Sequence, residues 1–380
     1  MSTSGKVKNG IIGCGVAANH FILPNLVQPE ITKKGVELTA VCDVIENHAE
    51  KTMRTFGAKE MYTDHKEMLT NADINSVIIL TPIDLHYPIA LDSVRAGKHI
   101  YVQKTFTTTL EEANKLLQAV KAEGVKLVAS PGQMHNPSMR MAKEMLDKGL
   151  IGRPLWGYIF ANKEGHTSEP TDPSWYYEAG GGPVYSYLVY SATAFCWMLG
   201  SVKKVTSLSG IAIPTRWWKN KQIDARMDDS TMILMDFGNS IFVSAISNFC
   251  VKGVMDYSSI YGTKGVIHIP LSVHRSTQHS PTHVLLSNIR RKMRNKGRNL
   301  RSKSQEWVEW TPPLFNYPYR LAAPSGANII ADIHEFIECI MKDEEPKVAT
   351  GERARHIIEV FEKSYLAAKT GNVQSLETTF

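Results

Sequence analysis

Lys104 follows a short apolar run, Ile100-Tyr101-Val102, with Gln103 between. An ammonium gains nothing from a buried strand, so this placement predicts a site that uses its charge or a lowered pKa. A lysine snorkelling from a strand end is the plainer alternative. A second constellation lies near the amino terminus. Gly13-Cys14-Gly15-Val16-Ala17-Ala18 follows the apolar segment Lys8 to Ile12 and reads G-x-G-x-x-A. The first glycine permits a tight strand-to-helix turn, the second admits a pyrophosphate to the backbone, and the small third residue lets helix and sheet approach. Val36 to Cys42 then ends at Asp43, whose carboxylate suits the hydroxyls of an adenosine ribose. A glycine pattern alone is weak evidence. One that follows a strand, opens a helix and precedes an acid-terminated strand points to a dinucleotide. Asp43 would repel a 2′-phosphate, and Val44 and Ile45 supply no arginine, so NAD is expected over NADP.

The elements that must position these residues follow an α/β rhythm. Glu46 to Phe56, Tyr87 to Arg95 and Thr109 to Glu123 read as helices, and Ser76 to Leu80, Ile100 to Val102 and Val125 to Ala129 as buried strands. Asn19 to Leu26 reads as a helix start broken by Pro24. Alternation of this kind predicts a doubly wound parallel sheet, whose ligand lies beyond the carboxyl ends of its strands. Gly13 to Ala17, Asp43, Thr81-Pro82 through His86, and Gln103-Lys104 all sit at such ends. After the helix Ser138 to Lys148 the pattern changes to runs of strands. Leu155 to Ala161, Lys204 to Ala212, Thr231 to Phe237, Ser240 to Asn248, Ser258 to Tyr261, Val266 to Ile269 and Gln305 to Trp310 predict an open, mainly antiparallel sheet. Gly238-Asn239 marks a hairpin turn, Pro183 to Leu199 a covering helix, and Asn328 to Lys342 and Glu352 to Lys369 two terminal helices. The expected fold class is therefore α/β, with a Rossmann domain over residues 1–130 and an α+β domain for substrate and oligomerisation over 131–380. The terminal helices could pack back on the first domain.

Bulk properties narrow the field. Of 380 residues, 43% are hydrophobic and 21% charged, an ordinary globular balance. The net charge of +6 is local, since the run from Arg290 to Lys303 holds eight basic residues and no acidic one. Without it the chain is slightly acidic, so nucleic acid is not an expected partner. That run is expected to be a solvated insertion or a subunit contact. Five scattered cysteines without CxxC spacing predict reduced thiols and a cytoplasmic protein. The stretch MSTSGKVKNG has no apolar run long enough for a signal peptide before the first strand, so none is expected. The uncharged stretch from Gly180 to Val202 is rich in glycine, serine and tyrosine, so it predicts a buried helix and not a membrane span. No cluster of His, Cys, Asp and Glu has metal-ligand spacing.

Four segments give the chain a family likeness: GIIGCGVAANHF, TPIDLHYPIALDSVRAGKHIYVQKT, KEMLDKGLIGRPLWGY and DPSWYYEAGGGPVYSYLVYSATAFCWMLG. In their order and spacing the chain resembles the Gfo/Idh/MocA family (glucose–fructose oxidoreductase, inositol dehydrogenase, MocA) over most of its length. The resemblance implies a Rossmann domain, an open-sheet domain, NAD or NADP, and sugar or cyclitol substrates. It places Lys104 on the family's Glu-Lys-Pro lysine and His86 on its Thr-Pro-x-x-x-His histidine. Ser186 and Tyr190 fall where many members carry an Asp and His pair for substrate binding and proton transfer. Trp175 and Gln133 fall near the nicotinamide end. The departures are Gln103-Lys104-Thr105 in place of Glu-Lys-Pro, and Ser186 and Tyr190 in place of Asp and His.

Hydride transfer from a carbinol needs a group to take the hydroxyl proton. Lys104 is the first candidate. Tyr190 is the second, four residues from Ser186 on one helical face; a nearby ammonium would pull its pKa toward neutrality, although aromatic packing is a strong alternative. His166 is the third, in the polar loop Glu164-Gly165-His166-Thr167-Ser168-Glu169. Ser186, Glu164 and Tyr187 are the expected substrate contacts. Thr81, Pro82, His86, Gln103, Gln133 and Trp175 join the glycine turn, Lys104 and Asp43 as cofactor contacts. The leading expectation is an NAD-dependent oxidoreductase acting on a sugar, a cyclitol or a derivative, assembled as a homodimer or homotetramer through the open sheet. Two alternatives are a glycoside hydrolase that oxidises its substrate transiently and a non-catalytic dinucleotide-binding regulator.

Overall fold

The computed structural model describes residues 6–169, 171–251, 257–270, 284–287, 307–310 and 327–380. Six strands form the first sheet: β1 (Val7–Ile12), β2 (Val36–Cys42), β3 (Glu60–Tyr62), β4 (Ser76–Ile79), β5 (His99–Val102) and β6 (Leu127–Ala129). All pair in parallel, in the order β3-β2-β1-β4-β5-β6. The chain order reverses between β1 and β4, the place where sheets of this kind hold a ligand beyond the strand ends. Ile78, Ile79, Ile100 and Val102 are fully buried, as their uninterrupted apolar runs require of strands covered on both faces.

The second sheet has nine strands: β7 (Pro154–Asn162), β8 (Lys204–Gly210), β11 (Ser230–Asp236), β12 (Phe242–Asn248), β13 (Tyr257–Gly262), β14 (Val266–Pro270), β15 (Val284–Ser287), β16 (Trp307–Trp310) and β17 (Gln374–Ser375). A separate hairpin joins β9 (Thr215–Trp218) to β10 (Lys221–Asp224). One face of the nine-stranded sheet carries the helices Val189–Leu199 and Gly351–Thr370; Ser207 Oγ donates to the carbonyl of Ser364 at 2.8 Å. The helix Ala327–Lys342 lies on the first sheet, where Phe336 meets the Tyr101 ring with centroids 6.2 Å apart. The helix Gly351–Thr370 also reaches β6, so it packs on both sheets.

The second sheet is mainly antiparallel, as expected, with one parallel pair, β7 and β12. β12 pairs with its sequence neighbour β11 on one edge and with the much earlier β7 on the other. Pro24 does not break the first helix. Residues Ala17–Ile22 form a π-helical stretch, and Pro24 falls in the first turn of the α-helix Leu23–Leu26, where a missing N–H costs little. The helix of the second domain likewise begins as a π-helical turn, Val184–Leu188. The short strand β3, the helix His65–Asn71 and the β9–β10 hairpin carry too little periodicity to be expected from the sequence. The basic run from Arg290 to Lys303 lies outside the described residues. Among the described residues no helix is long and apolar enough to cross a membrane.

Candidate active site

The glycine turn is built as its spacing requires. Gly13 has φ +97°, and a Cβ there would lie 2.8 Å from the carbonyl of Leu80 at the end of β4. A Cβ on Gly15 would meet nothing within 4 Å, so the backbone there borders open space that a pyrophosphate could enter. Asn19, expected only as the start of a helix, ties the turn to that helix: its Nδ2 donates to the carbonyls of Cys14 at 2.6 Å and Gly15 at 3.0 Å. An amide one helical turn after the last glycine was the available signal. Asp43 accepts from the backbone N–H of Cys14 at 2.8 Å and of Ile45 at 2.9 Å, which fixes its carboxylate at the crevice edge. His48 stands 3.7 Å from Asp43, and Val16, Val44 and Ile45 are exposed beside the turn and its acid.

Across the switch point, Thr81 and Pro82 lead from β4 into a short turn, and the Thr81 hydroxyl is buried without a hydrogen-bond partner. His86 departs from the expected cofactor contact. It is fully buried, with Nδ1 2.7 Å from the carbonyl of Thr105 and Nε2 2.9 Å from that of Thr81. It braces the two loops that flank the crevice and does not face it. Gln133 is buried on the turn Gln133–His135 after β6. The open turn at Gly15, the orphaned Thr81 hydroxyl and the fixed Asp43 carboxylate suit a dinucleotide lying across these strand ends.

Lys104 occupies the centre. Gln103 accepts its backbone N–H at 2.9 Å through Oε1, so the amide expected at the ribose is partly committed to shaping this strand end. The Lys104 Nζ donates to the carbonyl of Ser186 at 3.2 Å and lies 5.4 Å from the centre of the Tyr190 ring. Thr105 adds a bond from its hydroxyl to the carbonyl of Tyr185 at 2.6 Å. The π turn makes this approach possible: its donors reach five residues back, as Val189 N–H does to Val184. Ser186 and Tyr190 therefore both meet Lys104, although Ser186 does so through its backbone. The Ser186 hydroxyl is buried without a partner. Tyr187 is buried in the main hydrophobic core.

The third side of the site is the loop after β7. His166 is buried, and its ring stacks on Tyr176 at 3.5 Å, which stacks in turn on Trp175 at 3.6 Å. Trp175 is exposed at the end of this stack. The loop is therefore not a solvated surface turn. Glu164, expected as a substrate contact, is exposed; Glu169 is the carboxylate that meets His166, at 3.2 Å.

Electrostatics separates the three proton-transfer candidates. Burial, and then the neighbouring Lys163 charge, lowers the Lys104 pKa to about 8. Burial pushes the Tyr190 phenol up, and Tyr176 and Asp332 add to this. The expectation that an ammonium would bring Tyr190 toward neutrality is overturned, because desolvation of the phenolate dominates. Burial and Lys163 push His166 down to about 3. Of the three, Lys104 alone exchanges a proton near neutral pH.

The chain is similar to known proteins over most of its length. Residues 7–131 match the model of an oxidoreductase family with an NAD-binding Rossmann fold, and residues 139–268 match the C-terminal domain of the same group. A scyllo-inositol 2-dehydrogenase (NAD⁺) of Bacillus subtilis is 27% identical over 54% of this chain and 57% of its own. An inositol 2-dehydrogenase of Salmonella typhimurium is 23% identical over 70% of this chain and 74% of its own. The solved structure of a levoglucosan dehydrogenase in complex with NADH superposes with a TM-score of 0.81 at 19% identity, covering 98% of this chain and 100% of that one.

Proposed function

Because the chain belongs to the Gfo/Idh/MocA oxidoreductase family, we propose that it oxidises a hydroxyl of a sugar or cyclitol with NAD, and that Lys104 takes the proton. The observation that carries this reading is the Lys104 amine, placed by Ser186 and Tyr190 at the crevice with a pKa of about 8. NAD bound along the glycine turn and Asp43 supplies the hydride acceptor. The chain's own residues do the rest. The unprotonated Lys104 amine accepts the hydroxyl proton as the carbinol C–H bond breaks, and it returns that proton when a ketone is reduced. The protonated Tyr190 phenol, beside it, is a hydrogen-bond donor. The orphaned Ser186 hydroxyl, if satisfied by substrate, orients a second oxygen. Trp175 offers an aromatic face to the apolar side of a sugar ring.

The sign of the pH dependence follows. Oxidation needs the free amine, so its rate should rise with pH and level off above about pH 8; reduction needs the ammonium and should fall over the same range. NADH absorbance with scyllo-inositol, myo-inositol, levoglucosan and xylose tests both. NADH accumulation identifies a dehydrogenase. Release of an aglycone from nitrophenyl glycosides without NADH accumulation would identify a redox-neutral glycosidase instead.

The open sheet accommodates a second copy of this chain. Trp156 on β7, Leu208 on β8, Met232 and Leu234 on β11 and Phe242 on β12 are all exposed on the face opposite the helices. Such a patch marks an interface more often than free surface. Light scattering should find a dimer or tetramer, which the double variant Met232→Glu, Leu234→Glu converts to monomer. A wild type that is monomeric at tens of micromolar would contradict this. The free, mostly buried cysteines suit a reducing, cytoplasmic setting.

A further inference from the structure

Lys163, His166 and Glu169 form a closed triangle. Lys163 Nζ lies 3.0 Å from Glu169 Oε1 and 3.1 Å from His166 Nδ1, and His166 Nδ1 lies 3.2 Å from the same Glu169 oxygen. The other ring nitrogen, Nε2, is buried and has no hydrogen-bond partner. An ammonium only donates and a carboxylate only accepts, whereas a neutral imidazole has one nitrogen of each kind. Nδ1 therefore cannot serve both neighbours. If Lys163 donates to Nδ1, the lone pair on Nδ1 faces that of Glu169, and Nε2–H becomes a buried donor without an acceptor. If Nδ1–H donates to Glu169, Lys163 donates to the same oxygen, and Nε2 keeps a lone pair. Each arrangement leaves one unfavourable contact at Nδ1, a lone pair against Glu169 in the first and the N–H against the Lys163 ammonium in the second, so Nε2 decides: the second leaves no buried N–H orphaned.

We propose that Glu169 and Lys163 are positioning residues that hold His166 as the neutral tautomer protonated on Nδ1. Its Nε2 is thereby kept as an acceptor for a second hydroxyl of the substrate. The ring cannot turn to escape this role. It is sandwiched against Tyr176, with the Phe249 ring edge-on at 4.9 Å, and its backbone N–H donates to the Tyr177 hydroxyl at 2.9 Å. The loop is anchored at both ends, by Lys163 N–H on the carbonyl of Asn248 at 2.9 Å and by the Trp218 indole on the carbonyl of Glu169 at 2.8 Å. Burial and the positive charges of Lys163 and Lys104, opposed only by Glu169, keep the ring neutral. His166 is thus not the proton acceptor of the reaction. Its ligand is a polyol that offers one hydroxyl to Lys104 and a second to Nε2. The choice of ligand rests on the oxidoreductase reading above; the tautomer does not.

Long-range ¹⁵N–¹H correlation spectra of the ¹⁵N-histidine protein with NAD bound, with His166 identified by its loss in His166→Gln, test both halves. The expected wild-type spectrum at pH 7 shows the proton on Nδ1. Lys163→Met should leave it there, and Glu169→Ala should move it to Nε2. A wild type protonated on Nε2 or on both nitrogens, or a tautomer indifferent to Glu169→Ala, overturns the positioning pair. Where Glu169→Ala does not fold, the wild-type spectrum alone decides. Saturating scyllo-inositol or levoglucosan, with binding followed by calorimetry, should move the Nε2 resonance and leave the Nδ1 proton in place. A bound polyol that leaves Nε2 unmoved overturns the acceptor role. Failure of every polyol to bind contradicts the substrate reading, while the tautomer still decides the positioning pair.

Discussion

Replacing Lys104 by alanine is expected to lower NADH formation about a thousandfold, within the range of a lost general base, while NAD still binds. The separation of effects follows from geometry. Lys104 contacts the Ser186 carbonyl and the Tyr190 ring, whereas the elements proposed to hold the dinucleotide are the glycine turn, Asp43 and Thr81 on other strand ends. Lys104→Arg should be nearly as inactive. Arginine keeps the positive charge but stays protonated throughout the working range, so it stabilises an anion without accepting a proton. A variant pair in which alanine is inactive and arginine active would assign Lys104 an electrostatic role only. Neither Tyr190 nor His166 can substitute, because one is held far above neutrality and the other far below it. Stopped-flow absorbance for turnover and calorimetry for NAD measure the two properties independently.

Gly13→Val should abolish cofactor binding. The residue needs φ +97°, which costs a non-glycine side chain about 1–3 kcal/mol. Even the first carbon of the side chain would collide with the Leu80 carbonyl at 2.8 Å, and that carbonyl is backbone and cannot swing aside. Relief requires the turn to move away from β4, which would displace the N–H groups proposed to hold the pyrophosphate. NAD affinity should fall by more than a hundredfold and thermal stability should drop with it. Gly15→Ala is the control. A methyl there meets no protein atom, so stability should be preserved, and any loss of affinity reports the space the cofactor occupies. Fluorescence titration of NADH together with a thermal melt separates these outcomes.

The parallel sheet was legible because its strands carry long apolar runs, and because G-x-G-x-x-A and Asp43 mark the ends of β1 and β2. Lys104 was legible as a charge that a buried strand cannot keep without a use. Proton handling was not legible. The Ser186 and Tyr190 spacing assumed an α-helix, while a π turn delivers the Ser186 carbonyl, and not its hydroxyl, to Lys104. Desolvation decides the Tyr190 and His166 pKa values, and depth of burial is a tertiary property. The loop from Lys163 to Glu169 looked polar and exposed because its composition is. Stacking on Tyr176 and the bond from Trp218 bury His166, and neither contact has a periodic signature. The same limit hid Asn19 and the β9–β10 hairpin, whose Trp218 anchors the loop.

The central claim is that the amine of Lys104 takes the substrate proton. The pH dependence of single-turnover NADH formation, wild type against Lys104→Ala and with NAD saturating, tests it most directly. The wild-type rate should climb to a plateau with an apparent pKa near the value of about 8 assigned to Lys104. The residual rate of the alanine variant should lose that limb and vary only with hydroxide. A variant that keeps both the limb and the wild-type rate would contradict the account and move the proton to another group.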